Sequence, residues 1–169
     1  MATDLYVSWT DYIGTIERLA ARVHASGWAF NQVVCIARGG TRVGDILSRI
    51  FETPLAITFT QSYVEQGGTV RGEIIISKHM AMTATTLGDR VLLVDDLVDT
   101  GISLAAVKAL LQAGYPGIQE IRTAVLWYKA RSGTIPDFYA DYLVDNPWIH
   151  QPFERYDQMK AGELDAHAG

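Results

Sequence analysis

Val91-Leu92-Leu93-Val94 is the stretch that most limits what this chain can become. Four consecutive aliphatic β-formers without polar alternation make a strand covered on both faces, and a parallel sheet sheathed by helices supplies that cover. Val33-Val34-Cys35-Ile36-Ala37 is a second run of the same kind. Helix-length segments lie around these runs. Residues 8–23 place Trp9, Ile13, Ile16, Leu19, Ala20 and Val23 at helical spacing. Ser8 and Asp11 form a capping box in which an aspartate replaces the usual glutamate, and Gly27 ends the helix. Residues 41–51 bury Val43, Ile46, Leu47 and Ile50; residues 103–113 carry Leu104, Val107, Leu110 and Leu111 before Gly114 and Pro116 stop them. Further strands are expected at 55–60, 121–127 and 139–144. Between about residues 62 and 85, Gly67, Gly68 and Gly72 punctuate a long mobile hairpin whose strand pieces are Thr69-Val70 and Ile74-Ile75-Ile76. The alternation predicts an α/β fold: an open, mostly parallel twisted sheet flanked by helices, with right-handed crossovers. The aromatic-rich stretch 145–156 reads as irregular, a lid.

In such a sheet ligands bind beyond the carboxyl ends of the strands. The loops at residues 37–40, 95–103 and 129–132 are therefore expected to share one crevice. Residues 95–101, read as a loop, bring two adjacent carboxylates, Asp95 and Asp96, and a third, Asp99. Thr100, Gly101 and Ser103 then open a helix, whose free N–H groups and partial positive charge favour phosphate. The carboxylates would repel phosphate; they suit hydroxyl groups or a hydrated Mg²⁺. The combination reads as a site for a phosphorylated, polyhydroxyl ligand, a sugar phosphate. The pattern G-x-x-x-x-G-K-[ST] does not occur, which removes the P-loop reading.

Residues 91–103 resemble the phosphoribosyl-diphosphate (PRPP) motif of type I phosphoribosyltransferases. Tyr6-Val7-Ser8-Trp9, Ala37-Arg38-Gly39-Gly40, Ser62-Tyr63, Lys129 and Trp148-Ile149-His150-Gln151-Pro152 extend the likeness, in order, to bacterial xanthine–guanine phosphoribosyltransferases. The resemblance implies that Asp95 and Asp96 hold the ribose hydroxyls and Mg²⁺, and that Asp99, Thr100, Gly101, Ile102 and Ser103 hold the 5′-phosphate. Ile102 departs from the Gly or Lys common there, which leaves backbone N–H donation intact. It implies that Ala37, Arg38, Gly39 and Gly40 cradle pyrophosphate, with the Ala37–Arg38 peptide cis. Lys78 or Arg71 is expected to reach the pyrophosphate from the hairpin, which closes over PRPP and excludes water. Asp99 matches the residue that faces the purine N7 and is the candidate general base or acid. Lys129 matches the donor to the purine 6-oxo group; Trp148 would stack on the base and the backbone of Ile149 would meet its polar edge. His150 stands where relatives tend to have Glu, and Glu154 where they tend to have Asp, which bears on the choice of base.

The expectation is a single phosphoribosyltransferase domain over residues 1–169, with a core at about 28–135 and a small hood from about 1–10 and 136–169. Its activity would be transfer of the 5-phosphoribosyl group from PRPP to guanine, xanthine or hypoxanthine, in purine salvage. The alternatives are a PRPP- or nucleotide-sensing regulator of the same fold, or an enzyme for another base. Fourteen Lys+Arg against 19 Asp+Glu give a net charge of −5, which disfavours the basic face a nucleic-acid partner needs. One cysteine, Cys35, excludes a disulfide framework. Met1-Ala2-Thr3-Asp4 shows no basic stretch leading into an apolar one, and no apolar run approaches the roughly 18 residues of a membrane span, so a cytoplasmic protein is expected. A homodimer or homotetramer is expected by analogy alone.

Overall fold

The computed structural model describes residues 4–64, 71–77 and 79–167. In chain order these form β1 (Leu5–Tyr6), α1 (Trp9–Ala25), β2 (Gln32–Ala37), α2 (Gly39–Ile50), β3 (Leu55–Val64), β4 (Arg71–Ile76), β5 (Ala81–Met82), β6 (Arg90–Val98), α3 (Ile102–Gly114), β7 (Glu120–Lys129), β8 (Phe138–Leu143) and β9 (Ile149–His150). Two 3-10 segments follow, Glu154–Asp157 and Ala161–His167. Lys78 and Thr69-Val70 lie outside the described residues.

Each element starts where its residues provide a reason. Ser8 Oγ accepts from the Asp11 N–H at 3.1 Å while Asp11 Oδ2 accepts from the Ser8 N–H at 3.2 Å. The expected capping box is thus formed, and it satisfies two N–H groups that a helix start otherwise leaves open. Tyr12, Ile16, Leu19 and Val23 turn inward from α1. Gly27, at φ 68°, leads the chain away from it.

Among the described residues seven strands make one sheet, ordered β4-β3-β2-β6-β7-β8, with β5 also paired to β3. The run β3-β2-β6-β7-β8 is parallel, and β4 and β5 are antiparallel to β3. The expected α/β architecture is therefore present. Successive residues of the central strands are buried on opposite faces of the sheet. Val33, Cys35, Leu92, Val94, Ala124 and Leu126 face the cluster built with α1 and α2. Val34, Ile36, Val91, Leu93 and Val125 face the one built with α3. Cover on both faces is why these runs lack polar alternation.

Several expectations change. The helix expected at 41–51 begins at Gly39, which takes Gly39 and Gly40 into its first turn, and Ile50, expected to be buried, is exposed. Residues 95–98 are strand, not loop, because β7 is long enough to keep pairing with them, through Leu97 with Trp127 and Val98 with Tyr128. Only residues 99–101 separate β6 from α3. The 145–156 stretch is not wholly irregular either: β9 pairs in parallel with β1, Leu5 opposite Ile149 and Tyr6 opposite His150. The chain adds β3 on one side of β2 and then returns to lay β6 on the other. The crevice beyond β2 and β6 is thus the point where strand order reverses, the place where open α/β sheets take ligands. Among the described residues no helix is long and apolar enough to cross a membrane.

Candidate active site

The β6–α3 junction forms a cavity of about 210 Å³ lined by Asp95, Asp96, Leu97, Val98, Asp99, Thr100, Gly101, Ser103 and Leu104. Gly101 caps α3 at φ 84°, and no acidic residue occupies the first helical turn. The helix start is therefore open to an anion. Ile102 is exposed, so its departure from the family pattern leaves the cavity unobstructed. A methyl group added at Gly101 would lie 2.5 Å from Thr134 Cβ and 2.7 Å from Ser132 Oγ. The loop after β7 rests on the α3 start, fixed there by Gly133 N–H to Thr100 O at 3.1 Å and Thr134 Oγ1 to Gly101 O at 3.1 Å.

Asp95 and Asp96 end the buried half of β6. Asp95 Oδ1 accepts from the Asp96 N–H at 2.9 Å, and Asp96 Oδ1 from the Leu97 N–H at 2.8 Å. Burial, reinforced by the neighbouring Asp96 carboxylate, pushes the Asp95 carboxyl well above the usual carboxylate range. A pair held this way favours a cation or hydroxyl donors beside it. No third His, Cys, Asp or Glu among the described residues joins them in a metal-binding group. The β2–α2 junction lies directly on the pair: a methyl group at Gly39 would be 2.5 Å from Asp96 Cγ, and one at Gly40 2.7 Å from Val94 O. That approach needs glycine. The Ala37–Arg38 peptide is cis. Arg38 Nη2 reaches Asp157 Oδ1 at 3.5 Å, linking the junction to the tail.

Asp99 sits between two cations. Lys129 Nζ is 3.7 Å from Asp99 Oδ1, and Lys129 is 4% exposed, so it is no solvated strand-end lysine. Arg131 Nε and Nη2 donate to the two Asp99 oxygens. The Arg131 guanidinium foremost, then the Lys129 ammonium, holds the Asp99 carboxyl below the usual carboxylate range against the opposing effect of burial. Lys129 Nζ also lies 6.0 Å from the centre of the Trp148 ring, which is 63% exposed. Trp148 O and His150 O accept from Leu5 N–H and Val7 N–H of the β1 side at 2.8 and 3.0 Å. Because backbone groups alternate along a strand, the Ile149 N–H and C=O face the opposite edge, as a base-reading backbone would require. The Ile149 side chain is buried.

The sequence-expected residues Asp95, Asp96, Asp99, Thr100, Gly101, Ser103, Gly39, Gly40, Lys129 and Trp148 thus gather at the carboxyl ends of β2, β6 and β7. Lys78 and the Arg71 side chain lie outside what is described. Two participants went unassigned in the sequence reading. Arg131 had the signal of lying two positions beyond Lys129. Gln151, whose Nε2 donates to Asp96 Oδ2 at 2.5 Å, had the signal of standing within the Trp148–Pro152 motif.

Residues 6–158 match the family model of the phosphoribosyl transferase domain. The xanthine-guanine phosphoribosyltransferase of Idiomarina loihiensis is 28% identical over 158 residues, 90% of this chain and 88% of that protein. The purine phosphoribosyltransferase structure from Pyrococcus horikoshii superposes with a TM-score of 0.72 at 26% identity, covering 89% of this chain and 93% of that one. The Helicobacter pylori xanthine-guanine-hypoxanthine phosphoribosyltransferase gives a TM-score of 0.73 at 23% identity over 97% and 99%, a likeness of fold.

Proposed function

The chain belongs to the phosphoribosyl transferase domain family, and from that premise we propose that this pentosyltransferase moves the 5-phosphoribosyl group of PRPP to a 6-oxopurine, with guanine, xanthine and hypoxanthine as the candidate bases. The observation that carries the reading is Lys129: buried, 3.7 Å from Asp99 and 6.0 Å from the Trp148 ring centre, it makes a cationic, aromatic-walled place one loop away from the anion-ready start of α3.

In this reading the α3 start takes the 5′-phosphate, Asp95 and Asp96 take ribose hydroxyls, and the β2–α2 junction at residues 37–40, with its uncapped helix start, takes the diphosphate. Lys129 donates to the 6-oxo group, Trp148 stacks on the ring, and the Ile149 backbone reads its polar edge. The purine N9 forms its bond to the anomeric carbon as the bond to the pyrophosphate oxygen breaks. Asp99 accepts the proton carried by the purine N7–H. Nearby carboxylates stabilise the positive charge that builds on the ribose ring. The acid pair fits Mg²⁺ delivered with the diphosphate, since Mg²⁺ keeps substrate and water oxygens rather than an all-protein cage. Bound there, Mg²⁺ supplies neutralisation of pyrophosphate charge.

The test is purified protein with PRPP, Mg²⁺ and each base in turn. Pyrophosphate and a nucleoside 5′-monophosphate should form in equal amounts with at least one 6-oxopurine. Product from none of the three overturns the reading.

A further inference from the structure

Arg131 is the side chain in the crevice to which the expected chemistry gives no task. It reaches back from the loop after β7, Nε to Asp99 Oδ1 and Nη2 to Asp99 Oδ2. Two parallel N–H donors on two oxygens is the geometry by which a guanidinium sets the plane of a carboxylate, and an ammonium has no equivalent. The root of the side chain is fixed independently. The Arg131 N–H donates to Asn146 Oδ1 at 2.8 Å, and two residues later the Gly133 N–H is held by Thr100 O. Both ends of the contact are thus anchored to the same junction, since Thr100 follows Asp99 directly. Among the described residues the charged groups bearing on Asp99 are Arg131, from this loop, and Lys129, from the end of β7. An ionised carboxylate offers about four lone-pair sites. Arg131 uses one on each oxygen and Lys129 lies beside Oδ1, which leaves the remainder, in a fixed plane, for one further donor.

We propose that Arg131 is a positioning residue for the transfer: its fork sets the plane of the Asp99 carboxylate, so that the N–H of the incoming purine meets an acceptor already in place. Arg131 acts through Asp99 and touches no reacting atom. The proposal rests on the reading of Asp99 given above. The same fork also keeps Asp99 ionised into acid solution, since it is the largest cause that holds the carboxyl below the usual carboxylate range.

Arg131→Gln and Arg131→Lys separate the fork from mere charge. In the base assay Arg131→Gln should lower kcat about tenfold or more, the scale of a misplaced catalytic group, with KM for PRPP within about twofold. Arg131→Lys should fail to restore kcat. The acid limb of the pH profile should move up in Arg131→Gln. The Asp99 carboxyl carbon, followed by NMR and assigned with Asp99→Asn, reports the fork without turnover and should titrate at higher pH in Arg131→Gln. A kcat within twofold of the parent in Arg131→Gln, restoration by Arg131→Lys, or an unmoved carboxyl titration each overturns the proposal. If the parent makes no nucleotide from any base yet the carboxyl titration moves, the reading of the reaction falls while the fork stands.

Discussion

The side-chain amide of Gln151 donates to Asp96 Oδ2 at 2.5 Å, tying the tail beyond β9 to the acid pair of β6, 55 residues away. Gln151 is buried, and its Oε1 has no hydrogen-bond partner among the described residues. Asp96 is thereby held from three sides: by the Leu97 N–H, by Gln151, and by the close approach of Gly39. Gln151→Leu removes the donor and leaves a part-buried carboxylate short of a partner, a loss of about 1.5–3 kcal/mol for a hydrogen bond to a charged group. If Asp96 holds ribose hydroxyls, KM for PRPP should rise about tenfold or more, the kinetic equivalent of that loss. Steady-state kinetics at saturating base measures it, and an unchanged KM for PRPP would count against the role of Asp96.

Gly101→Ala tests the seam between the α3 start and the loop after β7. The residue sits at φ 84°, where an alanine is strained, and its methyl group would enter the space of Thr134 and Ser132. Strain of this kind costs about 1–3 kcal/mol. Thermal unfolding should shift down and KM for PRPP should rise together, because the displaced loop is hydrogen-bonded to Thr100 and Gly101. A variant with the parent's melting temperature and KM would show that the seam has no part in phosphate binding.

Asp99 gives a pH prediction with a definite sign. Its carboxyl is depressed in the folded protein, chiefly by Arg131, relative to the ordinary value of about 3.9 in the unfolded chain. Such a group stabilises the fold above its unfolded value, and that stabilisation is lost as pH falls through the folded value. The stability difference between the parent and Arg131→Gln should therefore be fully present at neutral pH and shrink below about pH 4. Denaturant midpoints at neutral and acid pH report it. A difference of the same size at both pH values would refute the ionic basis of the contact.

Legibility in the sequence followed the range of the interaction. The strand, acid pair and helix start between residues 91 and 103 are contiguous, so their shared role is written in consecutive residues. The Ser8–Asp11 box spans four residues and is equally plain. The continuation of β6 through Leu97 and Val98 is not, because it depends on Trp127 and Tyr128 of a strand formed elsewhere. The β1–β9 pair joins two-residue strands, too short to show any periodicity, from opposite ends of the chain. Burial of Lys129 follows from its surroundings in β7, the Asp99 carboxylate and the Trp148 ring, which no local pattern discloses. Arg131 and Gln151 are legible only once their carboxylate partners, 32 and 55 residues away, have been brought to them.

Trp148→Ala separates base recognition from general closure of the tail. The ring is 63% exposed, so its removal should leave stability almost unchanged, within about 0.5 kcal/mol as for ordinary surface positions. Its proposed partner is the purine, and loss of one base–aromatic stack costs about 1–3 kcal/mol. KM for the base should thus rise about five- to 150-fold while KM for PRPP stays near the parent value. Lys129, 6.0 Å from the ring centre, is retained in this variant, so the rise reports lost stacking and not a lost cationic donor. Titration of each substrate at saturating levels of the other reads the two constants apart. Equal rises in both would assign Trp148 to closure over PRPP instead of to the base.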